Sequence, residues 1–282
     1  MSNDHKSILV NATEANQRFS RLLSESEQGH EVIITKRGRA VAKLLPVQGG
    51  DAQEKNFGQP IGSDLPDYGF RKTLIDTCRK MNQVGLNQGT SGNASVRVDD
   101  GLLITPSGLD YEKTEPVDIV KIDFNGKVLR GRRNPSSEWH FHCRVMAARP
   151  KAGALLHTHS INATTLACLG RSIPPFHYMV AVAGGRDIRC APYATFGTEK
   201  LADSVLEALD GRLACLMANH GMLVLGRDIE DAFKRAVEIE TLAAQYLKAL
   251  AVGKPQLLTV GDMDVVLEKF KNYSAWADPK AR

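Results

Sequence analysis

The segment Gly153-Ala154-Leu155-Leu156-His157-Thr158-His159 narrows the choice of fold more than any other stretch of this 282-residue chain. A short apolar run followed by two histidines at alternate positions reads as a buried strand over 153–159. Residues two apart on a strand project to the same face, so His157 and His159 aim their imidazoles at one point. Such a pair begins a divalent-metal site, in which zinc sits about 2.0–2.1 Å from each nitrogen. Trp139-His140-Phe141-His142 carries the same spacing, but in a stretch with a helical pattern. There i and i+2 diverge by about 200°, so His140 and His142 are not expected to act as a ligand pair. His220, in Ala218-Asn219-His220-Gly221 between two strand-like runs, supplies a third imidazole. Three histidines leave a coordination place open, which is the catalytic rather than the structural arrangement.

A strand of this kind needs partners, and the rest of the chain supplies them. Helix patterns cover Leu65–Val84, Ser136 or Ser137 to Ala148, Ile161–Leu169, Thr198–Leu209, Asp228–Ala251 and Met263–Lys271. Strand patterns cover Ser95–Val98, Leu102–Thr105, Leu213–Ala218 and Met222–Leu225. Mixed elements in this order predict an α/β fold with α/β/α layers over residues 65–282. Residues 48–64 are rich in Gly, Gln, Asp and Pro without apolar periodicity and read as a linker. Residues 1–47 read as a separate small α+β module. Its strand is Ile8–Val10, and its helix, capped at Asn11 or Thr13, buries Ala15, Phe19, Leu22 and Leu23. A hairpin over 31–45 then turns at Lys36-Arg37-Gly38-Arg39.

Small polar residues gather near the predicted metal site. Ser136 and Ser137 open a predicted helix, whose free amides and positive dipole end favour an anion. Ser91-Gly92-Asn93 precedes a strand and Thr105-Pro106-Ser107-Gly108 follows one, and both loops offer amides and short donors to a phosphate. Plain capping and ordinary turns would account for each segment taken singly. Glu138 stands where a carboxylate could take a C–H proton beside a metal-bound carbonyl, and Tyr178 could supply a phenolic proton. A first-turn dipole partner and a core aromatic are the alternatives for these two.

SGNAS, ITPSGLDYEK, PSSEWHFH, LHTHS, IPPFHYMVAVAGG, APYATFGT, ANHG and LEKFKNY occur in this order, and together they resemble the class II aldolase/adducin family over residues 65–275, closest to its fuculose-phosphate aldolase branch. The resemblance implies a zinc site made by Glu138, His157, His159 and His220, one ion per subunit, with another divalent metal as an option. It implies a phosphate cradle of Asn93, Ser107, Gly108, Ser136 and Ser137, and an aldehyde pocket lined by Phe196. It makes Glu138 the base, Tyr178 the acid reaching a neighbouring subunit's site, and Tyr273 a tail residue closing over the aldehyde. The expected reaction is cleavage of a small phosphorylated ketose, a deoxy-ketose 1-phosphate like L-fuculose 1-phosphate, to dihydroxyacetone phosphate and an aldehyde such as L-lactaldehyde. The expected assembly is a homotetramer with active sites at its interfaces. Pentulose-phosphate epimerases and a methylthioribulose-phosphate dehydratase share the fold. Epimerases carry Asp at the place of Glu138, so Glu favours an aldolase.

NATEANQRFSRLLSESEQGHEVIITKRGRAVAKLLPV, within residues 8–46, resembles the prevent-host-death (Phd/YefM) antitoxin family. That resemblance implies dimerisation or DNA contact through the module, and with it the alternative of a DNA-binding regulator that senses a sugar phosphate. Residues 1–47 hold seven basic against five acidic side chains, a net +2. The whole chain is only +4, too mild over this length to argue for nucleic acid by itself. No apolar run is long enough to span a bilayer, and MSNDHKSILV lacks the apolar core of a secretion signal. Five separated cysteines, an odd number without a Cys-x-x-Cys pair, fit reduced thiols in a cytoplasmic protein.

Overall fold

The computed structural model describes residues 7–44 and 65–276, without the side chains of 272–276. The expected linker at 48–64 lies outside the described residues. The chain divides into two compact units, Met1–Gln59 and Pro60–Arg282.

In the first unit, β1 (Ser7–Asn11) runs parallel to β2 (Glu31–Lys36), which pairs antiparallel with β3 (Arg39–Leu44). The Asn11 side chain accepts the Glu14 amide and caps α1 (Ala12–Gln17). The single helix expected here is two. Arg18 leaves helical geometry at φ −124° and ψ 23°, and α2 (Phe19–Glu27) restarts beyond it. That break turns part of the expected apolar face away. Ala15 and Leu22 pack with Val10 and Val32, whereas Phe19 and Leu23 are exposed. Arg37 and Gly38 both take positive φ, 52° and 76°, the two-residue turn whose twist suits a tight hairpin.

The second unit is built on one eight-stranded sheet. Its strands are β4 (Asn93–Val98), β5 (Gly101–Ile104), β6 (Val120–Ile122), β7 (Val128–Arg130), β8 (Ala154–Thr158), β9 (Cys190–Ala191), β10 (Ala214–Met217) and β11 (Gly221–Gly226). Their order is β7-β6-β5-β4-β8-β11-β10-β9, with every pair antiparallel except β10–β9. On one face lie α3 (Tyr68–Gln83), α5 (Ile161–Cys168), α7 (Ile229–Val252) and α8 (Val260–Trp276). On the other lie α4 (Trp139–Ala148) and α6 (Glu199–Ala208). The two faces bury separate apolar cores, which makes the layers α/β/α.

Strand alternation decides what faces what. Ala94, Val96, Ala154 and Leu156 join the core under α3, α5 and α7, while Leu155 joins the core under α4 and α6. Asn93, Ser95 and His157 therefore point to the α4 side. The strand predicted over 153–159 ends at Thr158, and His159 follows it. The helix expected from Ser136 or Ser137 begins instead at Trp139. Pro135 bridges Pro106, and the Ser136 amide donates to the Thr105 carbonyl, so extended pairing holds the chain as far as Ser136 before it can coil. Ser136 and Ser137 are thus in the turn ahead of the helix.

Candidate metal centre and cavity

His157, His159 and His220 offer one nitrogen each, all within 4.8 Å of one another. The Nε2 atoms of His157 and His159 are 2.9 Å apart. Two strand pairings assemble the site. Asn93 on β4 lies opposite His157 on β8, and β11, which faces β8 on its other side, begins one residue after His220. Gly221 is required at that junction, because a Cβ there would meet the Thr158 carbonyl oxygen at 2.3 Å and His159 Cδ2 at 3.0 Å.

The tautomer of His157 follows from its contacts. Its Nδ1 lies 3.0 Å from the Met222 carbonyl, which can only accept, so Nδ1 carries the proton and Nε2 presents a lone pair to the cluster. Burial pushes the His157 imidazole down to about 3, with nearby Glu138 opposing the shift and His220 and His159 adding to it. Burial, then His220, also lowers His159. Neutral imidazoles are what a cation needs as ligands.

Glu138, the cap residue of α4, sets its carboxylate against the cluster. Oε2 is 3.3 Å from His157 Nε2 and 2.8 Å from Asn93 Nδ2, and Oε1 is 3.2 Å from His220 Nε2. Burial alone would raise this carboxyl; the His157 and His220 imidazoles and the Asn93 amide outweigh it and hold the group well below the usual carboxylate range. Apart from that approach of His220, Oε1 is buried without a hydrogen-bond partner. A buried carboxylate oxygen whose near neighbour is the His220 ring, set against the His157–His159–His220 cluster, fits a divalent cation with one oxygen and three nitrogen donors.

Beside the cluster opens a cavity of about 340 Å³. It brings together Asn93, Ser107, Gly108, Ser136, Ser137, Glu138, His159, His220 and Phe196. Among the described residues no lysine or arginine lines it, so an anion there would rest on hydroxyls and amides. Ser136 is partly engaged, since its Oγ accepts the Glu138 amide at 3.3 Å. Tyr178, on a 3-10 turn over Tyr178–Ala183, is half-exposed and does not line this cavity. Tyr273 belongs to α8, but its side chain lies outside the described residues.

Several contributors escaped sequence reading. Asn87 is buried, and its Oδ1 accepts the His159 backbone amide at 3.0 Å. Gly92 makes room for it at φ +73°, where a Cβ would sit 2.3 Å from Asn87 Nδ2. Thr90 and Tyr193 also line the cavity. Tyr193 stands three residues before Phe196 in APYATFGT, a signal that could have been read. Asn87 carries none, because only the folded chain brings it to His159.

Residues 72–247 match the family model described as "Class II Aldolase and Adducin N-terminal domain". Residues 8–55 match the one described as "Antitoxin Phd_YefM, type II toxin-antitoxin system". The chain is 55% identical over 204 residues to a 5-methylthioribulose-1-phosphate/5-deoxyribulose-1-phosphate aldolase of Rhodospirillum rubrum, covering 72% of this chain and 92% of the relative. It is 49% identical to an L-fuculose phosphate aldolase of Escherichia coli, covering 72% of this chain and 94% of the relative. Among solved structures, an L-fuculose 1-phosphate aldolase superposes with a TM-score of 0.70 at 41% identity, covering 72% of this chain and 96% of the other.

Proposed function

The chain belongs to the class II aldolase and adducin family, and on that premise we propose that it is a metal-dependent aldolase splitting a deoxy-ketose 1-phosphate into dihydroxyacetone phosphate and a short aldehyde. One observation carries this reading: the buried Glu138 carboxyl stands against the imidazoles of His157, His159 and His220 at the edge of a hydroxyl-lined cavity.

In this proposal His157, His159 and His220 hold the cation, with Glu138 as the fourth donor of the resting site. The cation, zinc or another divalent metal, supplies Lewis acidity towards the ketose carbonyl and its neighbouring hydroxyl. Asn93, Ser107, Gly108, Ser136 and Ser137 hold the phosphate. In the addition direction Glu138 takes a proton from the hydroxyl-bearing carbon of dihydroxyacetone phosphate, and Tyr178 gives its phenolic proton to the aldehyde oxygen. Cleavage runs the same transfers backwards, with the C3–C4 bond breaking. Tyr178 stands outside the cavity of its own chain, which suits a residue completing the site of a neighbouring copy in a homotetramer. Tyr273 is proposed to cover the aldehyde.

The substrates in the relatives' names share a terminal carbon without a hydroxyl, whether 5-deoxy, 5-methylthio or 6-deoxy. Phe196 and Tyr193, both exposed at the cavity, offer aromatic surface to such an end. L-Fuculose 1-phosphate would release lactaldehyde, 5-deoxyribulose 1-phosphate acetaldehyde, and 5-methylthioribulose 1-phosphate a methylthio-aldehyde. The choice among them sets the assay panel. Glu138→Gln is expected to lower turnover at least about 100-fold, the usual scale for losing a positioned base, while metal content stays because three imidazoles remain. Full turnover by this variant would remove Glu138 from the chemistry.

For the N-terminal module we infer pairing between copies or contact with DNA in a cytoplasmic protein. Exposed Lys36, Arg37 and Arg39 at the hairpin turn favour it. Promoter DNA whose mobility the full chain leaves unchanged would eliminate the DNA role.

A further inference from the structure

His142 is wholly buried, outside the imidazole cluster, and unused by the reaction described above. It lies one helical turn beyond Glu138 on α4 and faces Asn93 and Ser95, the two polar residues that strand alternation turns towards it. Its Nδ1 is 2.8 Å from Ser95 Oγ, and its Nε2 is 2.6 Å from Asn93 Oδ1. Asn93 in turn reaches Glu138 Oε2 through Nδ2 at 2.8 Å. We propose that His142 is a positioning residue: its Nε2–H fixes the Asn93 amide so that the NH2 group, not the oxygen, faces the Glu138 carboxylate.

The direction of every bond in this chain follows from its Glu138 end. A carboxylate only accepts, so Asn93 presents its NH2 there and turns its carbonyl inward. That carbonyl also only accepts, so His142 Nε2 bears the proton. In the neutral ring Nδ1 is then an acceptor, and the Ser95 hydroxyl donates to it. The polarity is Ser95 O–H to His142 Nδ1, His142 Nε2–H to Asn93 Oδ1, and Asn93 Nδ2–H to Glu138. An amide left free to flip would set oxygen against carboxylate, and Glu138 would swing from its place. His142 and Ser95 are wholly buried, so water cannot substitute for a missing donor at that end of the chain.

The inference rests on Glu138 as the base, and the test separates the two ideas. Full-length protein with 15N-labelled histidine is examined by long-range proton–nitrogen spectroscopy, with the His142 signals assigned by their loss in His142→Gln. The expected spectrum is one neutral tautomer, protonated on Nε2; an Nδ1–H ring or a mixture overturns the proposal. Exchange of the dihydroxyacetone phosphate C–H with solvent deuterium, which needs the base but no aldehyde, gives the second readout. His142→Leu is expected to slow exchange about 100-fold, the scale of a small misplacement of a reacting group. His142→Gln, whose amide nitrogen can replace Nε2–H, is expected to recover most of that loss. Should His142→Leu fail to fold, Ser95→Ala deletes only the hydroxyl, and it is expected to mix the His142 tautomers and slow exchange. Equal losses in the leucine and glutamine variants, tracking their folded fractions, would make His142 merely structural and overturn the proposal. A wild-type protein without exchange would defeat Glu138 as base, and the spectrum would still decide the orientation of Asn93.

Discussion

Asp118 shows how much a single buried charge can organise. Its side chain is 2% exposed, yet Oδ1 accepts from Arg132 Nε and Arg133 Nε, each at 2.9 Å, and Oδ2 accepts the Glu115 amide. Burial alone would raise this carboxyl, but the Arg132 bond, the Glu115 amide and the Arg133 bond together lower it. A depressed folded-state value stabilises the protein above the unfolded value near ~3.9, and that contribution is lost as pH falls through the folded value. The melting-temperature gap between wild type and Asp118→Asn should therefore hold steady above pH ~5 and narrow below pH ~4; a gap independent of pH would rule the pairing out as its source. Arg71 makes a related point about legibility. It sits on the buried side of α3 and donates to the carbonyls of Pro66, Pro116 and Ile119, ties between distant parts of the chain that no local pattern announces. The three histidines could be read because strand period and a strand–turn junction are local properties. Asn87 and the Ser95–His142–Asn93 chain could not, because they exist only through the pairing of β4 with β8 and the packing of α4.

Among elements, α5 depends on a carboxylate from elsewhere. Glu240 on α7 accepts the Ser160 hydroxyl and the Ala163 amide on Oε2, and the Asn162 amide and side chain on Oε1. Four donors at the start of α5 are thus satisfied directly after His159, at the dipole end that favours negative charge. Glu240→Gln replaces one accepting oxygen with a donor and is expected to cost about 1–3 kcal/mol, read as a lower midpoint in denaturant. An unchanged midpoint would mean that water caps the helix equally well. The long elements were legible for plain reasons: α7 has a capping Asp228 and a sustained apolar stripe, and β8 has its apolar run. The strands β6, β7 and β9 hold only two or three residues, too few to show alternation, and they exist because neighbouring strands offer edges. The start of α4 was displaced by the Pro106–Pro135 bridge, a pairing between segments nearly thirty residues apart. The break at Arg18 divides what periodicity alone reads as one helix.

Across the whole molecule, sequence order alone indicated an α/β/α layered domain, because alternating helix and strand patterns survive without contacts. The substrate did not emerge from the sequence with the same clarity, since the residues proposed to hold phosphate and cation would serve every deoxy-ketose phosphate alike, and the surface proposed to discriminate among them is the pair of cavity-lining rings Phe196 and Tyr193. What unites the account is the proposal that the His157, His159 and His220 cluster, beside the Glu138 carboxyl, holds a cation. The measurement that reaches it most directly is dihydroxyacetone phosphate release from L-fuculose, 5-deoxyribulose and 5-methylthioribulose 1-phosphates by the full-length protein as purified, after chelation to undetectable metal, and after zinc is restored. The account predicts release from at least one of them, its loss on chelation and its return with zinc. Undiminished cleavage by protein shown to be free of metal would contradict it.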